Sequence, residues 1–175
     1  MRMATTSLWP TAAPYPEATA RLHQDAHAFY GALNELLRVV QFRDRDRACC
    51  YDVSVTQCYA LKSIADGGGS TVNELAAALY LDKSTASRVA GGLEAKGYVV
   101  RERDQADGRI VRLVPTSSGL SLCQRIEDDL ATEYAELLAE YDPEVRGAMI
   151  RLLGRLATSF SARVDASGGS CCVVR

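Results

Sequence analysis

The chain has 175 residues, enough for one compact domain or two small lobes, and 47% are apolar, which excludes a disordered tail. A formal net charge of −2 excludes a uniformly basic polyanion binder but leaves room for one basic face. No apolar run could span a bilayer, and the opening MRMATTSLWPTAAPYPE lacks the apolar core of a secretory signal. A cytoplasmic protein with reduced thiols and no membrane partner is expected.

Residues 1–15 read as a Pro/Thr/Ala-rich arm. Pro16 suits the first turn of a helix, and Leu22, Ala26, Phe29, Leu33, Leu36, Leu37 and Val40 then recur at helical spacing up to the charged QFRDRDR. Ser54 with Gln57 makes a capping box, so a second helix begins near Val55 and buries Cys58, Leu61 and Ile64 or Ala65. The glycines of DGGGS, 66–70, stop it. Thr71 and Glu74 form another capping box for a short helix striped by Val72, Leu75, Ala76 and Leu79. Asp82 is the N-cap of a fourth helix, with Ala86, Val89, Ala90 and Leu93 inward and Lys83, Ser84, Ser87 and Arg88 opposite. Gly97 closes it. YVVRER and RIVRLV are β-branched and alternating around DQADG, which predicts a hairpin with a polar turn. A long helix opens at Ser117 or Ser118 and runs through Cys123, Ile126, Leu130, Tyr134, Leu137 and Leu138. Asp142–Pro143 starts a last helix striped by Val145, Met149, Leu152, Leu153, Leu156 and Phe160. Residues 165–175 form a Cys-containing tail.

Two short helices and a hairpin between long apolar-striped helices give a mainly α fold with a β-hairpin wing: a winged helix-turn-helix of six helices. Residues 71–115 carry seven basic side chains against six acidic ones, yet Arg101, Arg103, Arg109 and Arg112 crowd into the hairpin. The geometry suits double-stranded DNA. Ser84, Thr85 and Ser87 are short enough to approach phosphates or base edges, Lys83 adds charge, and Arg88 can meet guanine with two parallel bonds. The hairpin arginines would hold the backbone or a narrow minor groove. Two other readings stay open: a winged helix that docks protein, and solvated strand ends for Arg101 and Arg112.

In TVNELAAALYLDKSTASRVAGGLEAKGYVVRERDQADGRIVRLVPTSSG the chain resembles the MarR (multiple antibiotic resistance regulator) family, densely over residues 54–120. The family's D-x-x-D-x-R of the wing is matched by Asp104, Asp107 and Arg109, and its L-T-x-x-G nearly by Val114 to Gly119, with Pro115 as a departure. The resemblance implies a homodimeric regulator, usually a repressor, joined through its N- and C-terminal helices. Residues 16–48 and 117–164 would form the dimerisation lobe and 49–116 the DNA-binding lobe, on a pseudo-palindromic operator with major grooves about 34 Å apart. Asp104 and Asp107 would orient Arg109 and fix the turn.

ACCYDVSVTQC, 48–58, puts Cys49, Cys50 and Cys58 beside a helix N-terminus, near Arg43, Arg45 and Arg47, where thiolates are favoured. Structural zinc commonly takes four Cys/His ligands, so it suits this set less than trivalent arsenic, antimony or mercury. The tail pair Cys171 and Cys172 could add ligands. Cys123, alone on a helix stripe, reads as a core residue, and His23 and His27 as ordinary surface or interface histidines. Two other release signals remain: oxidation, with Cys50–Cys58 or a bond to the tail as the pair, and a small aromatic ligand near Phe29, Tyr30, Tyr51 and Tyr59. The chain has no glycine-rich phosphate loop, nucleophile elbow or zinc-protease helix, so no enzyme is expected.

Overall fold

The computed structural model describes residues 16–47, 51–104 and 106–166. The arm before Pro16, Cys49, Cys50 and the tail with Cys171 and Cys172 lie outside the described residues. The chain divides into two compact units, residues 1–52 and 53–175. The first holds helix α1, Pro16–Arg47, which continues through the charged stretch after Val40. Leu22, Phe29, Tyr30, Leu36, Leu37 and Val39 are exposed on it.

The second unit runs α2 (Val55–Asp66), α3 (Val72–Ala78), α4 (Lys83–Ala95), β1 (Val99–Arg103), β2 (Val111–Pro115), α5 (Ser117–Ala139) and α6 (Pro143–Ala166). Capping chemistry sets the starts of α2, α3, α4 and α5. Ser54 and Gln57 cap each other's backbone amides reciprocally, and Thr71 and Glu74 do the same. Helix α5 opens at Ser117, as the sequence leads one to expect, and Thr116 caps it by accepting from the Gly119 amide. In the loop after α2, Gly68 and Gly69 adopt left-handed backbone, with φ of 61° and 115°. That bend lets Ser70 pair with Leu113, through amide-to-carbonyl bonds of 3.0 and 2.7 Å, and dock beside the antiparallel β1–β2 ribbon.

The core of this unit is one layer: Leu61 and Ile64 from α2, Leu75 from α3, Ala86, Ala90 and Leu93 from α4, Val99 and Leu113 from the ribbon, and Leu122 from α5, all at 0–1% exposure. The first turns of α5 are therefore part of the winged-helix core. Pro115 fits the ribbon's end: it pairs with Val99, and the next residue, Thr116, resumes the pattern by donating to the Tyr98 carbonyl at 3.0 Å.

Gly119 is required for this closure, because a Cβ there would stand 2.1 Å from the Tyr98 carbonyl oxygen. Gly91, inside α4, has open space around it. Gly119→Ala is expected to destabilise the fold by about 1–3 kcal/mol through overpacking. Gly91→Ala is expected to stabilise it by about 0.5–1 kcal/mol through helix propensity. Urea unfolding of the two variants checks the opposite signs.

Candidate nucleic-acid interface

Asp82 organises the first turn of α4. Its carboxylate accepts from the Thr85 amide at 2.9 Å, the Thr85 hydroxyl at 2.7 Å and the Ser84 hydroxyl at 2.5 Å. The bonds from Ser84 and Thr85 hold its pKa well below the ordinary 3.8. The hydroxyl protons of Ser84 and Thr85 are thus committed inward, and the sides turned outward can accept rather than donate. Arg88 Nη2 uses one such acceptor, Thr85 Oγ1, at 3.0 Å, which lays the guanidinium along the helix's polar face. Lys83, Ser84 and Arg88 are exposed; Thr85 and Ser87 are half-buried beside the alanines that face the core.

The ribbon separates its arginines. Arg101 and Arg103 alternate on one face, across from Leu113 and Val111, while Arg112 projects from the other, across from Glu102. Arg101 Nε is tied to Glu94 of α4 at 3.0 Å, and Arg103 Nη1 donates to the Gly108 carbonyl at 3.4 Å. Arg112 is turned inward: Nη2 donates to the Gly69 carbonyl at 2.6 Å, and Nε lies 4.0 Å from Asp104. It joins the glycine loop to the wing.

Asp104 accepts from the amides of Ala106 at 2.8 Å and Asp107 at 3.1 Å, and these amides lower its pKa. Asp107 accepts from the Arg109 amide at 3.0 Å. The two aspartates therefore shape the turn through backbone bonds, whereas the Arg109 guanidinium is exposed and has no partner among the described residues.

Two structural residues escape sequence reasoning in part. Gln57 is legible as a cap, but it also reaches α4: Lys96 Nζ donates to its Oε1 at 3.1 Å, and its amide crowds the open side of Gly92. The Gly91–Gly92 pair inside a helix was the available signal. Tyr80, between α3 and α4, holds left-handed backbone at φ 53° with its hydroxyl 2.7 Å from Ser161 Oγ. It borders an open hollow of about 590 Å³ lined by Ala157, Thr158, Phe160, Ser161 and Val164.

Among the thiols, Cys58 and Cys123 are half-buried and neither is in a disulfide. Among the described residues no three His, Cys, Asp or Glu side chains are grouped to hold a metal ion. The expected partners of Cys58 lie outside those residues.

Residues 51–110, which span α2, α3, α4 and the start of the wing, match the model of the MarR family. Over those residues the chain is similar to the MarR family. Over 128 residues the chain is 27% identical to the uncharacterised HTH-type transcriptional regulator YxaD of Bacillus subtilis, covering 73% of this chain and 90% of that protein. Its fold is similar to that of a MarR family protein from Bacillus stearothermophilus, with a TM-score of 0.73, 22% identity, and coverage of 79% of this chain and 97% of that one. It is also similar to MepR in a MepR–DNA complex from S. aureus, with a TM-score of 0.62, 20% identity, and coverage of 75% and 97%. The helices and antiparallel hairpin of the described residues have the winged-helix fold of these MarR family structures.

The folded pKa of Asp82 is depressed, so its stabilising effect is complete above the unfolded value of 3.8 and is lost as pH falls through the lower folded value. Asp82→Asn is expected to lower the unfolding midpoint at neutral pH and to flatten the decline on acidification below 3.8. Circular dichroism melts across that range, compared with the wild type, measure both effects.

Proposed function

We propose that this chain is a MarR-family regulator that grips double-stranded DNA as a homodimer, with α4 in the major groove and the wing on the adjacent backbone or minor groove, and represses transcription from a pseudo-palindromic operator. The observation that carries this reading is the division of labour among the cations. Lys83 and Arg88 lie on the exposed face of α4 and Arg109 at the wing has no partner among the described residues, whereas Arg112 is spent on the fold. The roles follow. Arg88 reads a base edge, Ser84, Thr85 and Ser87 accept from base amino groups, and Lys83, Arg101, Arg103 and Arg109 neutralise phosphate. Support for pairing of two copies comes from apolar side chains left exposed on α6, among them Ile150 at 62%, Leu152 at 60% and Leu153 at 54%, and from Leu22 and Leu36 on α1.

For release from the operator we assign thiol chemistry, with Cys49, Cys50 and Cys58 binding trivalent arsenic, antimony or mercury. This rests on the density of soft ligands just before α2 and on its helix N-terminus.

Three arginine variants test the DNA reading by titration against operator and random duplexes at several salt concentrations. Arg88→Ala is expected to cost about 1–3 kcal/mol on the operator and to relax sequence choice. Arg109→Ala should weaken all duplexes alike, lower the salt slope by about 1 and leave the melting temperature unchanged. Arg112→Ala should lower the melting temperature instead. No salt-sensitive affinity of the wild type for any duplex would end the proposal.

Arsenite or mercuric ion at low stoichiometry should release the wild type and fail on Cys49→Ser, Cys50→Ser and Cys58→Ser variants. Equal release from the variants refutes the metalloid assignment.

A further inference from the structure

Helices α3 and α4 end on the same backbone device with different residues. At the end of α4 the Gly97 amide donates to the Glu94 carbonyl at 2.9 Å and the Tyr98 amide to the Leu93 carbonyl at 3.0 Å, with Gly97 in left-handed backbone at φ 75°. At the end of α3 the Tyr80 amide donates to the Ala77 carbonyl at 3.2 Å and the Leu81 amide to the Ala76 carbonyl at 2.9 Å. Both are Schellman motifs, whose left-handed residue is usually glycine because a Cβ is crowded there. The motif after α3 puts tyrosine at that position, at φ 53°. Among the described residues Tyr80 is the one non-glycine residue at positive φ. A bulky residue there is strained, and contacts outside the motif must hold it.

Those contacts are not in the core, since Tyr80 is 59% exposed. Its hydroxyl shares a 2.7 Å hydrogen bond with Ser161 Oγ, 81 positions away in the last turns of α6. Its ring borders the hollow that Ala157, Phe160 and Val164 of α6 line. Towards α4 there is no slack. Only Leu81 separates Tyr80 from Asp82, whose carboxylate accepts from the Thr85 amide and whose carbonyl accepts from the Ala86 amide at 3.0 Å. Glycine at position 80 would form the same turn without strain, but would have no side chain to reach Ser161.

We propose that Tyr80 is a positioning residue that ties the entry of α4 to α6, so that the setting of α6 fixes how α4 is presented. The tether stands on the packing of this chain; its consequence for DNA rests on the reading above. In a dimer joined through the exposed apolar side chains of α6, the tether relates each α4 to the joint, and through the joint to the other α4. Lys83 and Arg88 meet their own half-site with or without it. What the tether sets is the separation of half-sites that both helices can occupy at once. One base pair more or fewer displaces a half-site by about 3.4 Å along the duplex and about a tenth of a turn around it, which a stiff link penalises and a slack one accommodates.

The test has two arms, both on the full chain. In the first, hydrogen exchange read by mass spectrometry follows the amides of residues 79–88 with no DNA present. Ser161→Ala and Tyr80→Phe each remove one hydroxyl, and each should speed exchange there by about threefold or more while peptides across Leu61 and Leu122 keep their rates. Ser161→Thr keeps a hydroxyl and should exchange as the wild type does. Unchanged exchange at 79–88 in Ser161→Ala overturns the tether. In the second arm the wild type selects a duplex from a randomised pool, and affinity is measured on it and on versions with one base pair added or removed between half-sites. The wild type should lose about tenfold or more on the altered spacings, and Ser161→Ala, Tyr80→Phe and Tyr80→Gly about threefold or less. Tyr80→Gly also relieves the backbone, so its melting temperature should equal or exceed that of the wild type. A lower melting temperature for Tyr80→Gly with spacing discrimination intact marks a packing side chain and overturns the proposal. Faster exchange in the variants with spacing discrimination unchanged overturns the consequence for DNA. A wild type that selects no duplex sinks the DNA reading alone, since the exchange arm still decides the tether.

Discussion

Helix α4 can lie in the core only because its inner face is so small. Ala86 and Ala90 are fully buried and, with Leu93, let the helix approach α2 and α3 closely. Burial of this stripe fixes the helix's rotation about its own axis, and the rotation decides that Lys83, Ser84 and Arg88 face away from the protein. A larger residue at either alanine would lift the helix and turn the polar face with it. The Asp82 cap completes the constraint from one end and the Gln57–Lys96 bond from the other, so the presenting helix is held at both termini as well as along its seam.

The wing depends on the same core but solves a different problem. A two-stranded ribbon is marginally stable alone. Here Ser70 adds a third short edge, and Arg112 clamps that edge to the ribbon through the Gly69 carbonyl. One arginine is thereby consumed in holding the platform, and Arg101 is partly neutralised by Glu94. Among the described residues the ribbon arginine without a partner is Arg109, in a turn whose geometry comes from carboxylate-to-amide bonds at Asp104 and Asp107. Four arginines close in sequence therefore differ in what they can offer an anion.

Helix α2 connects these parts to the thiols. It contributes Leu61 and Ile64 to the core, Gln57 to α4, and Lys62 to α5. A covalent or metal-binding event at Cys58 would thus act on a helix that touches both α4 and α5. Such an event shifts DNA affinity only to the extent that the modified seam prefers a different setting of α4.

Capping boxes at Ser54 and Thr71, the Asp82 cap, the glycine stop after α2 and the alternating hairpin were all readable in the sequence. Each is a local signal, written in residues three or four apart, and local backbone chemistry is sufficient to place an element's start and end. The polar face of α4 was legible for the same reason, since helical periodicity sorts its residues into two sides. What periodicity lacks is the neighbour across the gap. Arg112 reads like Arg109 until the loop at Gly69 is folded beside it, and Gln57 reads as a cap until Gly92 arrives. The sequence by itself determined which elements form and which faces they turn outward. Only tertiary packing decided which charges are spent, because those partners come from residues far apart along the chain whose approach no local pattern encodes.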